Sequence, residues 1–256
     1  MEVVMMRGAR KLFAVMVAAV VLLTAVAPAS AADCGCTAPA VGPGWYGSGN
    51  QGDWSTGEQV VSAPDLVAKA DVWLLGDSLT VDSAGAFATD MYAEYGLFVA
   101  SNGQSGRPTR PTVDVLAEWL AVYGPPRLVV MAAGTNDIYG PAPFFGPPVV
   151  AGQVNRVMTL LGPTVPVVWV EVHISRWAQP ANVQVDDQRN AAWVNTQLWE
   201  ATGRHPGLSI AAWERQLAVK PTRIRSWLTD GVHLTDAGRA ARNETIRREV
   251  ARRLGL

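Results

Sequence analysis

A serine and an aspartate–histidine pair stand near opposite ends of the chain's patterned region. Ser78 lies in Gly76-Asp77-Ser78-Leu79, directly after the apolar run Val72-Trp73-Leu74-Leu75. Asp230 and His233 lie in Asp230-Gly231-Val232-His233, near the carboxyl end. A serine hydroxyl is a weak nucleophile until a base takes its proton, and the base works best when a third group orients it. In a tight turn, a spacing of three puts a carboxylate beside an imidazole. Asp230 can then accept from Nδ1–H, leaving Nε2 of His233 free to face Ser78. The same carboxylate would stabilise the imidazolium formed when the serine proton arrives. The candidate roles are nucleophile for Ser78, base for His233 and orienter for Asp230.

Attack of a hydroxyl on a carbonyl builds negative charge on oxygen, and preorganised donors must meet it. The backbone N–H of Ser78 is one candidate, because the first amides of a helix have no internal partner. The side-chain amide of Asn136, in Gly134-Thr135-Asn136-Asp137, is a second. A glycine amide from the loop Ser101-Asn102-Gly103-Gln104-Ser105-Gly106-Arg107 can supply a third.

These residues need a scaffold that brings them to one edge. Apolar runs at 72–75, 97–100, 128–133, 165–172 and 208–212 read as buried strands. Helical patterns fall between them at about 82–95, 112–122, 149–161 and 187–202, and a last helix covers about 236–254 with Thr235 placed to cap it. Strands apolar on both faces and separated by helices predict an α/β fold, a parallel sheet covered on each side. Ligands of such sheets sit outside the carboxyl ends of the strands, where Ser78 and the 134–137 loop both fall.

The chain resembles the SGNH hydrolases, also called GDSL esterases and lipases, through four blocks in order. Gly76-Asp77-Ser78-Leu79 matches the first, Ser105-Gly106 followed by Arg107-Pro108-Thr109 resembles the second, Gly134-Thr135-Asn136-Asp137 matches the third and Asp230-Gly231-Val232-His233-Leu234 matches the last. The resemblance spans residues 71–254. It implies a flavodoxin-like three-layer α/β/α sandwich with a five-stranded parallel sheet. It also implies a Ser78, His233 and Asp230 triad with Ser78, Gly106 and Asn136 as oxyanion donors. The second block departs from the family pattern: Arg107 replaces the usual acid, and Gly103 competes with Gly106. The resemblance implies a carboxylic ester hydrolase that needs no organic cofactor and no metal.

Other residues are weighed beside these. His173 follows the fourth predicted strand with only Glu171 as a nearby carboxylate, and is expected in a structural or pocket-lining role. His205 precedes Pro206 and is expected to face solvent. Ser105 loosely imitates a nucleophile elbow, but the full G-x-S-x-G pattern is absent. The segment Ile138 to Pro148, with Tyr139, Phe144, Phe145 and four prolines, is either a wall for the substrate or a self-packed loop. Trp227 either walls the site or anchors the Asp–His turn. Arg247, Arg248, Arg252 and Arg253 fall in the last helix, where a solvated face is the expectation.

Residues 1–31 carry Arg7, Arg10 and Lys11, an apolar stretch from Leu12 to Ala27 and Ala29-Ser30-Ala31, the pattern of a secretory signal peptide. A transmembrane anchor is the alternative for that stretch. Residues 32–65 read as a Gly-, Pro- and Trp-rich leader, without regular structure to about residue 60, and 66–256 as the catalytic domain. Its aromatic residues, Trp45, Tyr46 and Trp54, are expected to pin it to that domain. Without residues 1–31 the chain has 18 basic and 21 acidic residues, a net charge of −3. That charge favours neither nucleic acid nor an anionic membrane as partner. Cys34 and Cys36 are the only cysteines and lie outside the expected core. The expectation is a secreted monomer acting on a small-molecule or glycan ester, acetyl esters foremost, without stable membrane insertion once the signal is removed. The alternatives are a cell-wall glycan O-acyltransferase, a lipase or phospholipase, and a non-catalytic glycan-binding module using Trp45 and Trp54.

Overall fold

Apolar residues at every position of a strand force both faces of a sheet to be covered, and helices arrange themselves accordingly. The computed structural model describes residues 54–139 and 147–256. The expected signal, Cys34, Cys36, Trp45, Tyr46, Phe144 and Phe145 lie outside the described residues. In chain order the elements are β1 (Gln59–Val61), α1 (Pro64–Val67), β2 (Val72–Gly76), α2 (Ser78–Tyr95), β3 (Val99–Gln104), α3 (Thr109–Tyr123), β4 (Leu128–Ala132) and α4 (Pro147–Leu161). Then follow β5 (Val167–Val170), α5 (Ala181–Arg204), β6 (Leu208–Ala211), α6 (Trp213–Ala218), α7 (Thr222–Trp227) and α8 (Asp236–Leu254).

The sheet runs β1-β3-β2-β4-β5-β6. The five expected strands are parallel to one another, and a sixth, β1, pairs antiparallel with β3 along one edge. That edge strand lies in the segment read as a leader without regular structure. Alternate strand residues divide between two cores. Trp73, Leu75, Val129, Met131, Val167 and Trp169 pack against α3, α4 and α5, through Leu116, Val154 and Val194 among others. Val72, Leu74, Leu128, Val130 and Val168 pack against α2, α6 and α8, through Phe87, Met91, Trp213 and Ile246. The layers are therefore helix, sheet, helix. Full burial of each such side chain contributes roughly 1.5–3 kcal/mol.

Helix α8 occupies the expected residues and is capped by Thr235, whose hydroxyl accepts from the Gly238 amide at 3.2 Å. Its arginines are not a free basic face. Arg247 pairs with Glu94 (3.0 Å) and Asp90 (3.8 Å) on α2, Arg248 with Glu244 (2.5 Å), and Arg252 with Glu249 (2.5 Å). Among the described residues no helix is long and apolar enough to cross a membrane.

Candidate active site

Strand β2 ends at Gly76, and helix α2 begins at Ser78 with Asp77 as its N-cap. Gly76 is needed for space rather than for an unusual backbone angle. A Cβ there would lie 2.1 Å from the Thr80 hydroxyl and 2.5 Å from the Ala132 carbonyl on the neighbouring strand. The amides of Leu79, Thr80 and Val81 all donate to Asp77, to its carboxylate at 3.1 Å and its carbonyl at 3.0 and 3.1 Å. The Ser78 amide stands one residue ahead of them, at the open end of the first turn.

The histidine comes from the turn between α7 and α8. An antiparallel bridge between Leu228 and Leu234 closes that turn, and the Thr229 amide donates to the His233 carbonyl at 2.8 Å. Inside it one Asp230 oxygen accepts the amides of Val232 and His233, each at 2.8 Å, while the other lies 2.8 Å from His233 Nδ1. His233 Nε2 then lies 3.2 Å from Ser78 Oγ. Residues 155 positions apart are thus joined into one hydrogen-bonded row, as expected from the sequence. Gly231 makes the turn feasible. Its φ is +96°, and a Cβ there would fall 2.6–2.7 Å from the Ser175 backbone. Trp227 anchors the turn: its carbonyl accepts the Thr235 amide at 2.9 Å and its ring stacks on Trp213 at 5.9 Å.

Protonation follows from this packing. Burial alone would raise the Asp230 pKa, but its bonds to the His233 ring and to the two amides outweigh that and hold it at about 2. The Asp230 hydrogen bond raises the His233 pKa above 6.5, against burial and with help from the charges of Asp230, Asp82 and Asp77.

Strands β3 and β4 flank β2, with Gly76 in register with both Gly103 and Ala132. The loops leaving β3 and β4 therefore emerge beside Ser78. Gly103 lies inside β3, where a Cβ would meet Thr80 and the Val81 amide at 2.9–3.0 Å, so its role is close packing on α2. Gly106 sits in the loop itself with φ +79°. Asn136 opens the short helical turn after β4, and its Nδ2 donates to the Arg107 carbonyl at 3.3 Å, one residue from Gly106.

The sequence model of the GDSL-like Lipase/Acylhydrolase family matches residues 74–241. The chain belongs to that family. With it, the chain takes its place among the carboxylic ester hydrolases. No curated protein sequence matches the chain. The fold is shared with a GDSL-like lipase from Bacteroides thetaiotaomicron at 17% identity, covering 75% of this chain and 92% of that one, with a TM-score of 0.57. It is also shared with the C-terminal catalytic domain of a Streptococcus pneumoniae peptidoglycan O-acetyltransferase (19% identity, 73% and 93% covered, TM-score 0.52). An acetylxylan esterase from Geobacillus stearothermophilus, represented by a catalytic mutant, is similar in the same way (13% identity, 73% and 94% covered, TM-score 0.52).

Several residues that support this GDSL-family site have no evident role in the sequence. Arg107, an apparent departure in the second block, is 2% exposed and ties two strands together. Its guanidinium donates to the Gly76 carbonyl at 2.8 Å and to the Asn102 side chain and carbonyl at 2.7 Å each. Burial draws its pKa down to about 10, which leaves it charged at neutral pH. Buried Arg107 and Arg242 both offset the charge of Asp77, whose pKa burial raises. Asp137, next to Asn136, accepts the amide (2.8 Å) and hydroxyl (2.6 Å) of Thr109 at the start of α3. Burial raises its pKa to about 6. Asn136 and Asp137 together clamp the loop that carries Gly106. From the far side, the Ser105 amide donates to the Glu58 carbonyl (2.8 Å) and Gln104 Nε2 to the Trp54 carbonyl (2.9 Å). The 54–61 segment therefore braces the same loop.

His173 also has a carboxylate, supplied from 41 residues away. Its Nδ1 bonds Glu214 of α6 and its Nε2 lies 3.0 Å from Ser175 Oγ. The nearby Glu171 is committed elsewhere, to Trp199 Nε1 (2.6 Å) and the Arg215 amide (3.1 Å). His173 and Ser175 are buried while Glu214 is partly exposed, and the row faces the Gly231 carbonyl, which accepts the Ser175 amide at 2.9 Å. His173 thus takes a structural role, holding the Asp230–His233 turn in place through Ser175. His205, half-exposed at the end of α5, bonds Asn155 at 2.9 Å.

Proposed function

We infer that the protein is a secreted serine esterase that removes short acyl groups from glycans or small alcohols. Ser78 is its nucleophile, His233 its acid–base and Asp230 the orienter of that base. The Ser78 and Gly106 amides and the Asn136 side chain are the oxyanion donors. The observation that carries this reading is the row Asp230–His233–Ser78, at 2.8 and 3.2 Å, at the mouth of the strand that begins the family match. Secretion is supported by the charged, apolar and Ala-x-Ala pattern of residues 1–31. Two structural neighbours are named for acetyl chemistry, on xylan and on peptidoglycan, which makes acetyl esters the first substrates to try.

The reaction has two halves. Ser78 Oγ bonds to the ester carbonyl carbon as its proton passes to His233 Nε2, and the carbonyl oxygen becomes an oxyanion. The intermediate collapses, the alcohol leaves with the proton from His233, and the acyl group remains on Ser78. A water then gives its proton to His233 and attacks the acyl carbon. Collapse releases the acid and returns the proton to Ser78.

Incubation with 4-nitrophenyl acetate should release nitrophenol and acetate in equal amounts. A phosphonyl fluoride should stop the reaction with one adduct, mapped to Ser78 by peptide mass. An adduct on Ser175 or Ser105 instead, with Ser78 unmodified, would refute the assignment. Asn136→Ala is expected to lower kcat about 10²- to 10³-fold with little change in KM, because this donor gains its strength as charge develops on the carbonyl oxygen. Steady-state kinetics separates the two constants, and a loss confined to KM would instead make Asn136 a ground-state binding group.

A further inference from the structure

Between the segment that follows β5 and helix α7 runs an open groove of about 520 Å³, lined by Ser175, Trp177, Gln184, Gln188, Thr222 and Arg225 among others. We propose that this groove is a saccharide subsite, which holds the sugar chain of an O-acetylated oligosaccharide while one of its esters reaches Ser78. The proposal rests on the esterase reading above and names the part of the substrate that reading leaves open.

The groove adjoins the turn that carries Asp230 and His233. Ser175 lines it and also donates its amide to the Gly231 carbonyl, at the centre of the Asp230–His233 turn. Helix α7 forms the other side and runs directly into that turn at Leu228. Ser78 begins above β2, while the groove follows β5, two strands away. At a strand spacing of about 4.8 Å, the ends of β2 and β5 are about 10 Å apart across the sheet. An oligosaccharide covers that distance, and a small alcohol does not.

The lining offers a sugar both kinds of surface it needs. A sugar ring presents an apolar C–H face and a rim of hydroxyls. Trp177 is half-buried and packed against the core, and the Arg225 guanidinium lies over its ring at 5.1 Å from the centroid, so indole and guanidinium form one surface for a sugar. Gln188, Thr222 and Arg225 supply polar groups around it. Gln184 spends its amide N–H groups on the Trp177 carbonyl (3.3 Å) and the Gln179 carbonyl (2.7 Å), which leaves its carboxamide oxygen as what it can offer a hydroxyl. Among the described residues Arg225 is the one charged member of the lining, so an acidic sugar meets a cation there. Pro221, Ile224 and Trp177 supply apolar surface for the C–H face of a sugar, and the placed polar groups beside them mark a site that orients a polar ligand.

The ledge is also preorganised. Arg176, beside Trp177, makes a buried two-point pair with Asp187 of α5, both bonds at 2.8 Å. Two residues before Trp177, Ser175 is held by His173, which Glu214 holds in turn. The backbone that presents the indole is thus fixed before any ligand arrives, which lowers the cost of binding.

The test compares acetate release from O-acetylated xylo-oligosaccharide and from O-acetylated muropeptide with hydrolysis of 4-nitrophenyl acetate. It uses the wild type, Trp177→Ala and Arg225→Ala. The expected result is a fall of about tenfold or more in the ratio of kcat/KM for an oligosaccharide to kcat/KM for 4-nitrophenyl acetate, carried mainly by KM. The oligosaccharide that shows the fall identifies the glycan. Arg225 is exposed, so its variant keeps the test decisive if Trp177→Ala does not fold. Ratios that stay within about twofold of wild type would overturn the proposal, as would a wild type that hydrolyses 4-nitrophenyl acetate but neither oligosaccharide. A wild type inactive on all three esters would instead remove the esterase reading itself.

Discussion

Ser78→Ala is expected to lower kcat for 4-nitrophenyl acetate by about 10⁴- to 10⁶-fold, roughly 5–8 kcal/mol of barrier, while the thermal unfolding midpoint stays close to wild type. The size of the loss follows from covalent catalysis. Without Oγ no acyl-enzyme forms, His233 has no hydroxyl to activate and Asp230 no working base to orient, so all three members of the row stop contributing at once. The oxyanion donors survive the change, because one is the backbone amide of residue 78 itself and the others lie on different loops. They leave a residual rate above that in water. The fold should be indifferent for a local reason. The N-cap of α2 is Asp77, whose carboxylate accepts the Leu79 amide, and the described partner of the Ser78 hydroxyl is His233 rather than a helix amide. A variant that keeps more than about a hundredth of wild-type kcat would show that another group is the nucleophile.

What could be read from the sequence divides along physical lines. Strands β2, β4, β5 and β6 announce themselves because every residue of each is apolar or small and buried, a pattern that survives without knowledge of neighbours. Strand β3 does not. Its polar residues Ser101, Asn102 and Gln104 are buried; Arg107 and the Trp54 carbonyl satisfy the Asn102 and Gln104 side chains, and the Ser62 hydroxyl accepts the Ser101 amide. Those partners are tertiary, so the expected strand stopped at residue 100. Strand β1 is three residues long and largely exposed, and its identity lies in its antiparallel register with β3. The six-residue helices α6 and α7 are too short for a period to show. The same division holds at the site. Asp230 and His233 are three residues apart, and local geometry predicts their contact. Glu214 reaches His173 across 41 residues, and Arg107 looks like a mismatch until the Gly76 and Asn102 carbonyls are seen around it.

Asp230→Asn should lower kcat/KM at neutral pH by about 10³- to 10⁴-fold and move the acid limb of the pH profile to lower pH. In the wild type the base must be neutral to accept the Ser78 proton. Activity therefore rises with pH through the His233 pKa, which lies above 6.5 chiefly because Asp230 bonds Nδ1. Asp230, held at about 2, is ionised across the whole working range and adds no limb of its own. An asparagine keeps the shape and, through its carbonyl oxygen, can still accept the Val232 and His233 amides that shape the turn. It loses the negative charge, so the imidazolium formed during attack is no longer stabilised and the limb shifts toward or below 6.5. The asparagine N–H₂ can also donate to Nδ1. That would place the imidazole proton on Nε2, facing Ser78, and a protonated Nε2 cannot serve as base. The two effects differ in their signature, since lost charge moves the limb and the wrong tautomer lowers the plateau. Rates measured between about pH 4.5 and 9 resolve both. An unmoved limb would mean that Asp230 does not set the His233 pKa, and a plateau within about tenfold of wild type would mean that it does not orient the ring.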